Sequence, residues 1–207
     1  MRIACLGGGP AGLYFAISMK LRDPSAHVVV YERNKADDTF GWGVVLSDET
    51  LGNLEQNDPI SAASIREHFA YWDDVAVHYK GQEMRIAGNG FCGTSRKTLL
   101  NILQERCAEL GVDITYGAAI KPEELKTRFA DSDVIIASDG IGSVIRDHYA
   151  DGFQPSLTMK SNRFCWMGSA RPMNEFNYFF KETEHGPVVA HCYQYQPDRS
   201  TWVIEMG

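Results

Sequence analysis

The sequence predicts an α/β chain: a three-layer unit built on a parallel sheet, followed by the start of an antiparallel sheet. Three observations carry this. The apolar run Arg2-Ile3-Ala4-Cys5-Leu6 leads directly into Gly7-Gly8-Gly9-Pro10-Ala11-Gly12, and a helical pattern follows from Pro10 to about Leu21. A second apolar run, His27-Val28-Val29-Val30-Tyr31, ends in Glu32, twenty residues after Gly12. After about Asp151 the helical period disappears, and successive alternating runs take its place. The first two features make a βαβ unit of Rossmann-like type, and the third marks a second sheet.

Each residue of the opening motif has a physical task. Gly7 permits a tight turn off the first strand. Gly9 leaves no Cβ between the backbone and a pyrophosphate. Gly12 lets the helix pack close to the sheet, while Pro10 and Ala11 open that helix and aim its free N–H groups at the phosphates. Glu32 then accepts hydrogen bonds from ribose hydroxyls and repels a 2′-phosphate, so the expected ligand is FAD or NAD rather than NADP. Arg33 follows it as a further cofactor-binding candidate. A glycine-rich turn in an ordinary βαβ unit is the plainer alternative.

Composition narrows the function classes. The net charge is −7 and no basic cluster offsets it, which argues against nucleic acid as a partner. No apolar run is long enough to span a membrane, and the chain opens directly on a strand; a cytoplasmic location is expected. Five cysteines (Cys5, Cys92, Cys107, Cys165 and Cys192) contain no C-x-x-C pair, so buried free thiols are expected and no metal.

Along the chain, the glycine-flanked run Gly41-Trp42-Gly43-Val44-Val45-Leu46-Ser47 reads as a strand or as a place where backbone meets a flat ligand. Helices are expected around Asp48–Gln56, with Ser47 as cap, and around Ile60–Phe69. Val75–Tyr79 and Glu83–Ile86 alternate across Lys80-Gly81-Gln82 as a hairpin. Thr94 or Ser95 caps a helix over Arg96–Leu110, and Gly111 ends it. Val112–Tyr116 is a strand, Pro122–Phe129 a short helix, and Asp133–Ala137 a buried parallel strand leading into Ser138-Asp139-Gly140. Asn162–Gly168, Asn177–Glu182, Val188–Tyr195 and Ser200–Glu205 are successive antiparallel strands.

Taken together, Gly7-x-Gly9-x-x-Gly12 with Glu32, Arg96-Lys97-Thr98-Leu99-Leu100 opening a helix, and Asp139-Gly140-x-x-Ser143-x-x-Arg146 resemble the single-component FAD-dependent aromatic hydroxylases. The runs Asp38–Thr50, His68–Asp74 and Gly90–Gly93 are similar to the flavin modules of the subgroup acting on aromatic acyl-CoA thioesters, salicylyl-CoA 5-hydroxylase and anthraniloyl-CoA monooxygenase among them. Glu182–Gly186 and Ala190-His191-x-Tyr193 resemble that subgroup's substrate-domain strands.

The resemblance implies a fold and a chemistry. Residues 1–155 would form a Rossmann-like FAD-binding three-layer domain, with a hairpin and helical insertion around 48–92. Residues 156–207 would begin an antiparallel-sheet substrate domain. Reduced by NADPH or NADH, the flavin would react with O2 and hydroxylate an electron-rich aromatic ring through a C4a-hydroperoxide, with an aromatic CoA thioester among the expected substrates. Gly7, Gly9, Pro10, Ala11, Gly12, Glu32, Arg33, Arg96, Asp139 and Gly140 are the FAD-binding candidates it implies, and Gly43, Val44 and Val45 would lie against the ring. His191, on a substrate-domain strand, is the one catalytic candidate; a structural histidine is its alternative. Family members carry a second Gly-Asp motif downstream that has no counterpart before Gly207, so the chain reads as the N-terminal part of a longer protein. The competing readings are an NAD-dependent dehydrogenase, which leaves the Asp139 motif unexplained, and a non-catalytic FAD-binding module.

Overall fold

A computed structural model describes residues 1–207 apart from the side chain of Asn89. In chain order, the elements are β1 (Arg2–Leu6), α1 (Pro10–Arg22), β2 (His27–Tyr31), β3 (Gly43–Ser47), α2 (Asp48–Asn57), α3 (Pro59–Arg66), β4 (Ala70–Tyr79), β5 (Gln82–Ser95) and α4 (Arg96–Glu109). There follow β6 (Asp113–Thr115), a 3-10 turn at Pro122–Glu124, α5 (Leu125–Arg128), β7 (Val134–Ala137), α6 (Val144–His148), α7 (Ala150–Phe153), β8 (Arg163–Ser169), β9 (Phe176–Thr183), β10 (Gly186–Gln196) and β11 (Arg199–Met206). They form two compact units: Met1–Asp38 with Leu100–Thr158, and Thr39–Leu99 with Met159–Gly207.

The first unit is a four-stranded parallel sheet in the order β6-β2-β1-β7. Its core is where the strand and helix patterns converge. Cys5 and Val30, from two strands, and Leu13, Ala16 and Ile17, from one face of α1, are fully buried. Each Leu, Ile or Val so buried contributes roughly 1.5–3 kcal/mol. A second cluster, with Ala4, Leu6, Leu125, Phe129 and Ile145, holds α5 and α6 on the sheet. β7 pairs in parallel with β1 as expected, but it is not a buried strand. It is the sheet's edge, with Val134 39% and Ile135 36% exposed. Apolar composition fixes strand type here, while burial depends on having a neighbour on both sides.

The second unit is a seven-stranded sheet in the order β3-β5-β4-β9-β10-β11-β8. The four alternating runs beyond residue 151 are β8–β11, paired antiparallel as expected. Residues 48–92, expected as an insertion in the dinucleotide-binding domain, supply β4 and most of β5, and β4 joins this sheet by pairing in parallel with β9. The hairpin is longer than its alternating core, because β5 bends past a register shift near Trp72 and continues to Ser95. Its tightest point is Lys80-Gly81, both at positive φ. Ser47 Oγ accepts from the Thr50 N–H and caps α2, and Ser95 Oγ accepts from the Thr98 N–H at the start of α4. Of the five free cysteines, four are buried; Cys165, on the edge strand β8, is exposed.

Candidate functional site

In the first unit, the glycine turn between β1 and α1 is built by close packing. Gly7 sits at φ +117°, and a Cβ there would overlap the Ser138 carbonyl. A Cβ on Gly12 would overlap the Gly7 carbonyl oxygen and Ser138 Oγ, so α1 seats against the end of β7 only because residue 12 has no side chain. Gly9 differs: a Cβ there would meet nothing within 4 Å. Its surroundings on the protein side are open. No side chain caps α1 and no acid sits in its first turn; Pro10 occupies the first helical position. No side chain of α1 itself neutralises the positive end of the helix.

Glu32 ends β2 facing this turn. One carboxylate oxygen accepts from the Gly8 N–H at 2.7 Å, and the other accepts from the Asn34 N–H at 2.8 Å and Asn34 Nδ2 at 2.7 Å. The carboxylate therefore ties the glycine turn to the chain beyond β2, and the oxygen facing Gly8 keeps acceptor capacity for a ribose hydroxyl. Arg33, next along, is exposed, as is Ala11.

The loop after β7 is locked internally. Ser138 Oγ donates to the carbonyls of Leu6 and Gly7 at 3.1 and 3.0 Å, stitching β7 to the glycine turn. Asp139 accepts from Ser143 Oγ at 2.6 Å, while Ser143 Oγ caps α6 by accepting from the Arg146 N–H at 3.0 Å. Gly140 takes φ +95°. The Arg146 guanidinium reaches back to the Ile141 carbonyl at 2.7 Å and to Asp147. The spacing D-G-x-x-S-x-x-R is thus a self-contained turn whose polar side chains fix one another. Beside it runs an apolar groove of about 780 Å³, with Phe129, Ile136, Asp139, Ile145 and Tyr149 among its walls.

In the second unit, the glycines around Trp42 make room for the chain's own rings. A Cβ on Gly41, at φ +92°, would overlap the Trp166 indole, and one on Gly43 would meet Tyr195 Cβ at 2.6 Å and the Tyr193 ring at 3.1 Å. Trp42 itself lies over Gly168. The expectation from the sequence is a flat ligand against these glycines; in the structure the chain's own Trp166, Tyr193 and Tyr195 lie against Gly41 and Gly43. The Gly43 carbonyl accepts from the Tyr193 hydroxyl at 3.1 Å. Val44 is half-buried, and Val45 packs on the buried cluster of Trp72, Val75, Phe176 and Tyr193. Arg96 is half-buried at the start of α4, where its N–H donates to the Trp42 carbonyl at 3.0 Å.

His191 lies on β10, opposite Tyr178 of β9 and Val203 of β11. Burial pushes its imidazole below the ordinary range, partly opposed by the Glu205 carboxylate. Sequence reasoning gave no role to Gly8, Asn34, Ser138 or Tyr178, and named Tyr193 only within a resembling strand motif. The hydrogen bonds and ring contacts of these residues arise from turn closure and strand register. Among the described residues, no group of three or more His, Cys, Asp or Glu side chains gathers as a metal site. No helix among them is long and apolar enough to cross a membrane.

No family model matches the chain. It is 38% identical over 206 residues, 99% of its length, to a salicyloyl-CoA 5-hydroxylase from Streptomyces sp, of which it covers 39%. It is 34% identical over 205 residues to a 3-hydroxy-4-methyl-anthranilyl-[aryl-carrier protein] 5-monooxygenase from Streptosporangium sibiricum, again over 99% of the chain, and covers 57% of that protein. Among solved structures, 2-methyl-3-hydroxypyridine-5-carboxylic acid oxygenase superposes with a TM-score of 0.72 at 17% identity, over 99% of this chain and 58% of its own. PqsL, a probable FAD-dependent monooxygenase from Pseudomonas aeruginosa, does so at 0.71 and 13%, over 100% of this chain and 60% of its own. The chain is a homologue of named monooxygenases along its whole length, with their fold, and spans about two-fifths to three-fifths of the relatives it matches.

Proposed function

We propose that the chain is the FAD-holding and substrate-facing portion of an aromatic-ring monooxygenase. The observation that carries this is the pairing of homology to such enzymes along the whole of this chain with the open backbone at Gly9 beside Glu32. The chemistry FAD supplies when bound is delivery of one oxygen atom from O2 to the ring, with NADPH or NADH as electron source. The protein's share is placement. The α1 N-terminus and the Gly7–Gly9 backbone receive the pyrophosphate, and Glu32 orients the ribose. Arg33 and the Asp139-Gly140 turn complete the proposed cofactor contacts of the first unit; Arg96, Gly43, Val44 and Val45, in the second unit, are proposed as cofactor contacts on the family resemblance alone.

The substrate reading is an electron-rich aromatic ring, carried as an acyl thioester. The two curated relatives described above are named as a 5-hydroxylase of a CoA derivative and a 5-monooxygenase of an aryl-carrier-protein derivative. That position is para to carbon 2, which bears the hydroxyl of a salicyl ring and the amino group of an anthranilyl ring. The aromatic face of the seven-stranded sheet suits a flat substrate of this type.

The test is an absorbance spectrum of the purified protein after FAD loading and desalting. Retained flavin bands, followed by substrate-stimulated NAD(P)H oxidation with a salicyl thioester, are expected. A colourless protein that binds NAD instead would overturn the reading.

A further inference from the structure

Strands β8–β11 carry large apolar side chains on both faces of their sheet. Directly opposed residues share a face, so each face is a set of rows running across the strands. On the face away from Tyr178 and His191, one row is Lys181, Val188, Met206 and Arg163, across β9, β10, β11 and β8. The next row brings Phe179 and Ile204, and the one after it Trp202 and Met167. Phe179 stacks on the Trp202 indole with centroids 5.7 Å apart, which joins two rows into one apolar surface. That surface is open to solvent: Met167 is 44% and Met206 43% exposed, and Phe179, Trp202 and Ile204 are half-buried.

Charge marks one border of it. Lys181 and Arg163 end the first row, both exposed, and among the described residues neither side chain has a hydrogen bond or an ion pair. Three strand spacings set them roughly 14 Å apart. No Asp or Glu lies in the three rows, although the whole chain carries a net charge of −7. Apolar side chains left in water beside unpaired cations suit a partner that is apolar and acidic. A second copy laid face to face would bring two more cations and no acid from these rows. A helix, about 10–12 Å wide, covers the apolar rows, and acids two to three turns apart along it meet both cations.

We propose that this face docks an acidic amphipathic helix of the protein that carries the aromatic acyl thioester. The inference rests on the thioester reading above and adds that the carrier is itself a protein, bound through its own surface as well as through the ring it delivers. Phe179, Trp202, Ile204 and Met167 bury the helix's apolar stripe, while Lys181 and Arg163 fix its direction and speed its approach. Coenzyme A brings phosphates for the two cations but does not cover three rows of side chains.

The experiment measures steady-state NAD(P)H oxidation by the FAD-loaded, full-length protein on one ring carried three ways: 2-hydroxybenzoyl-pantetheine, 2-hydroxybenzoyl-CoA, and the same acyl group on an acidic aryl-carrier domain. The double variant Lys181→Glu with Arg163→Glu is expected to raise KM about tenfold or more for the carrier-borne ring alone, with kcat unchanged. Lys181→Arg with Arg163→Lys should keep wild-type values on all three. A wild-type KM for the carrier-borne ring in the Glu double variant overturns the docking surface. So does a rise shared with the CoA thioester, which gives the cations to phosphates, or with the pantetheine thioester, which marks a structural role. If that variant instead loses binding to phosphatidylglycerol vesicles, or loses a homodimer, while the carrier is unaffected, the face belongs to a membrane or to a second copy and the proposal falls. A wild-type protein that oxidises NAD(P)H with the pantetheine thioester but not with the carrier-borne ring overturns this inference and leaves the monooxygenase reading standing. One that accepts none of the three overturns both.

Discussion

Gly9 and Gly12 stand three residues apart in one motif and answer to different neighbours. A methyl on Gly12 has nowhere to go between the Gly7 carbonyl and Ser138 Oγ, whereas a methyl on Gly9 enters open space. Gly12→Ala is therefore expected to destabilise the fold by about 1–3 kcal/mol, the usual cost of overpacking, and lower the thermal midpoint. Gly9→Ala, at an ordinary φ of −74°, should unfold like wild type yet lose at least tenfold in FAD affinity. Thermal melts and flavin fluorescence titrations on both variants check this. An unstable Gly9→Ala, or one that binds FAD normally, would show that this backbone is not reserved for a ligand. Glu32 is a case where residue type was legible and detail was not. Its position follows from spacing along the chain, but its ties to Gly8 and Asn34 exist only once the turn closes.

Among the elements, α6 depends on a single serine. Ser143 both caps the helix and donates to Asp139, so its hydroxyl fixes the turn that presents Asp139 and Gly140. Ser143→Ala should cost about 1 kcal/mol through the lost cap. It should also release Asp139 and weaken FAD binding, whereas Ser143→Thr should restore both. Denaturant titration together with FAD titration measures the two effects. Normal FAD affinity in Ser143→Ala would remove Asp139 from the proposed site. Most elements themselves were legible, since α1, α2 and α4 announce themselves by period and by Pro or hydroxyl at their starts, and β8–β11 by alternation. β7 was legible as a strand but not as an edge, because nothing in Val134-Ile135-Ile136-Ala137 reports whether a neighbour covers it.

For the whole molecule, four buried thiols set an alkaline limit. Burial pushes Cys5, Cys107 and Cys192 up to about 12 and Cys92 up to about 11, against an ordinary 9.0. Tyr193 is likewise raised, to about 12. Above pH 9.0 for the thiols, and above 10.0 for the Tyr193 phenol, the unfolded chain releases these protons while the folded chain keeps them, so unfolding gains. Their stabilising contribution is complete below that pH and falls away as pH rises toward 11 and 12. Urea midpoints measured across this range should decline steadily; a flat profile would show that the thiols are not held in an apolar interior.

The sequence by itself determined the glycine turn, the acid at the end of β2, the helix starts and the period of nearly every strand. These follow from interactions a few residues apart: a positive φ, a missing Cβ, a cap, an alternation. The tertiary structure decided which strands meet. It carried residues 39–99 into the same sheet as residues 159–207 by pairing β4 with β9, about a hundred residues downstream. It also gave Trp166 and Tyr195 to the glycines beside Trp42 and set His191 opposite Tyr178. Those outcomes depend on strand register, in which a slip of one residue turns every side chain to the other face, and no local pattern in this chain specifies it.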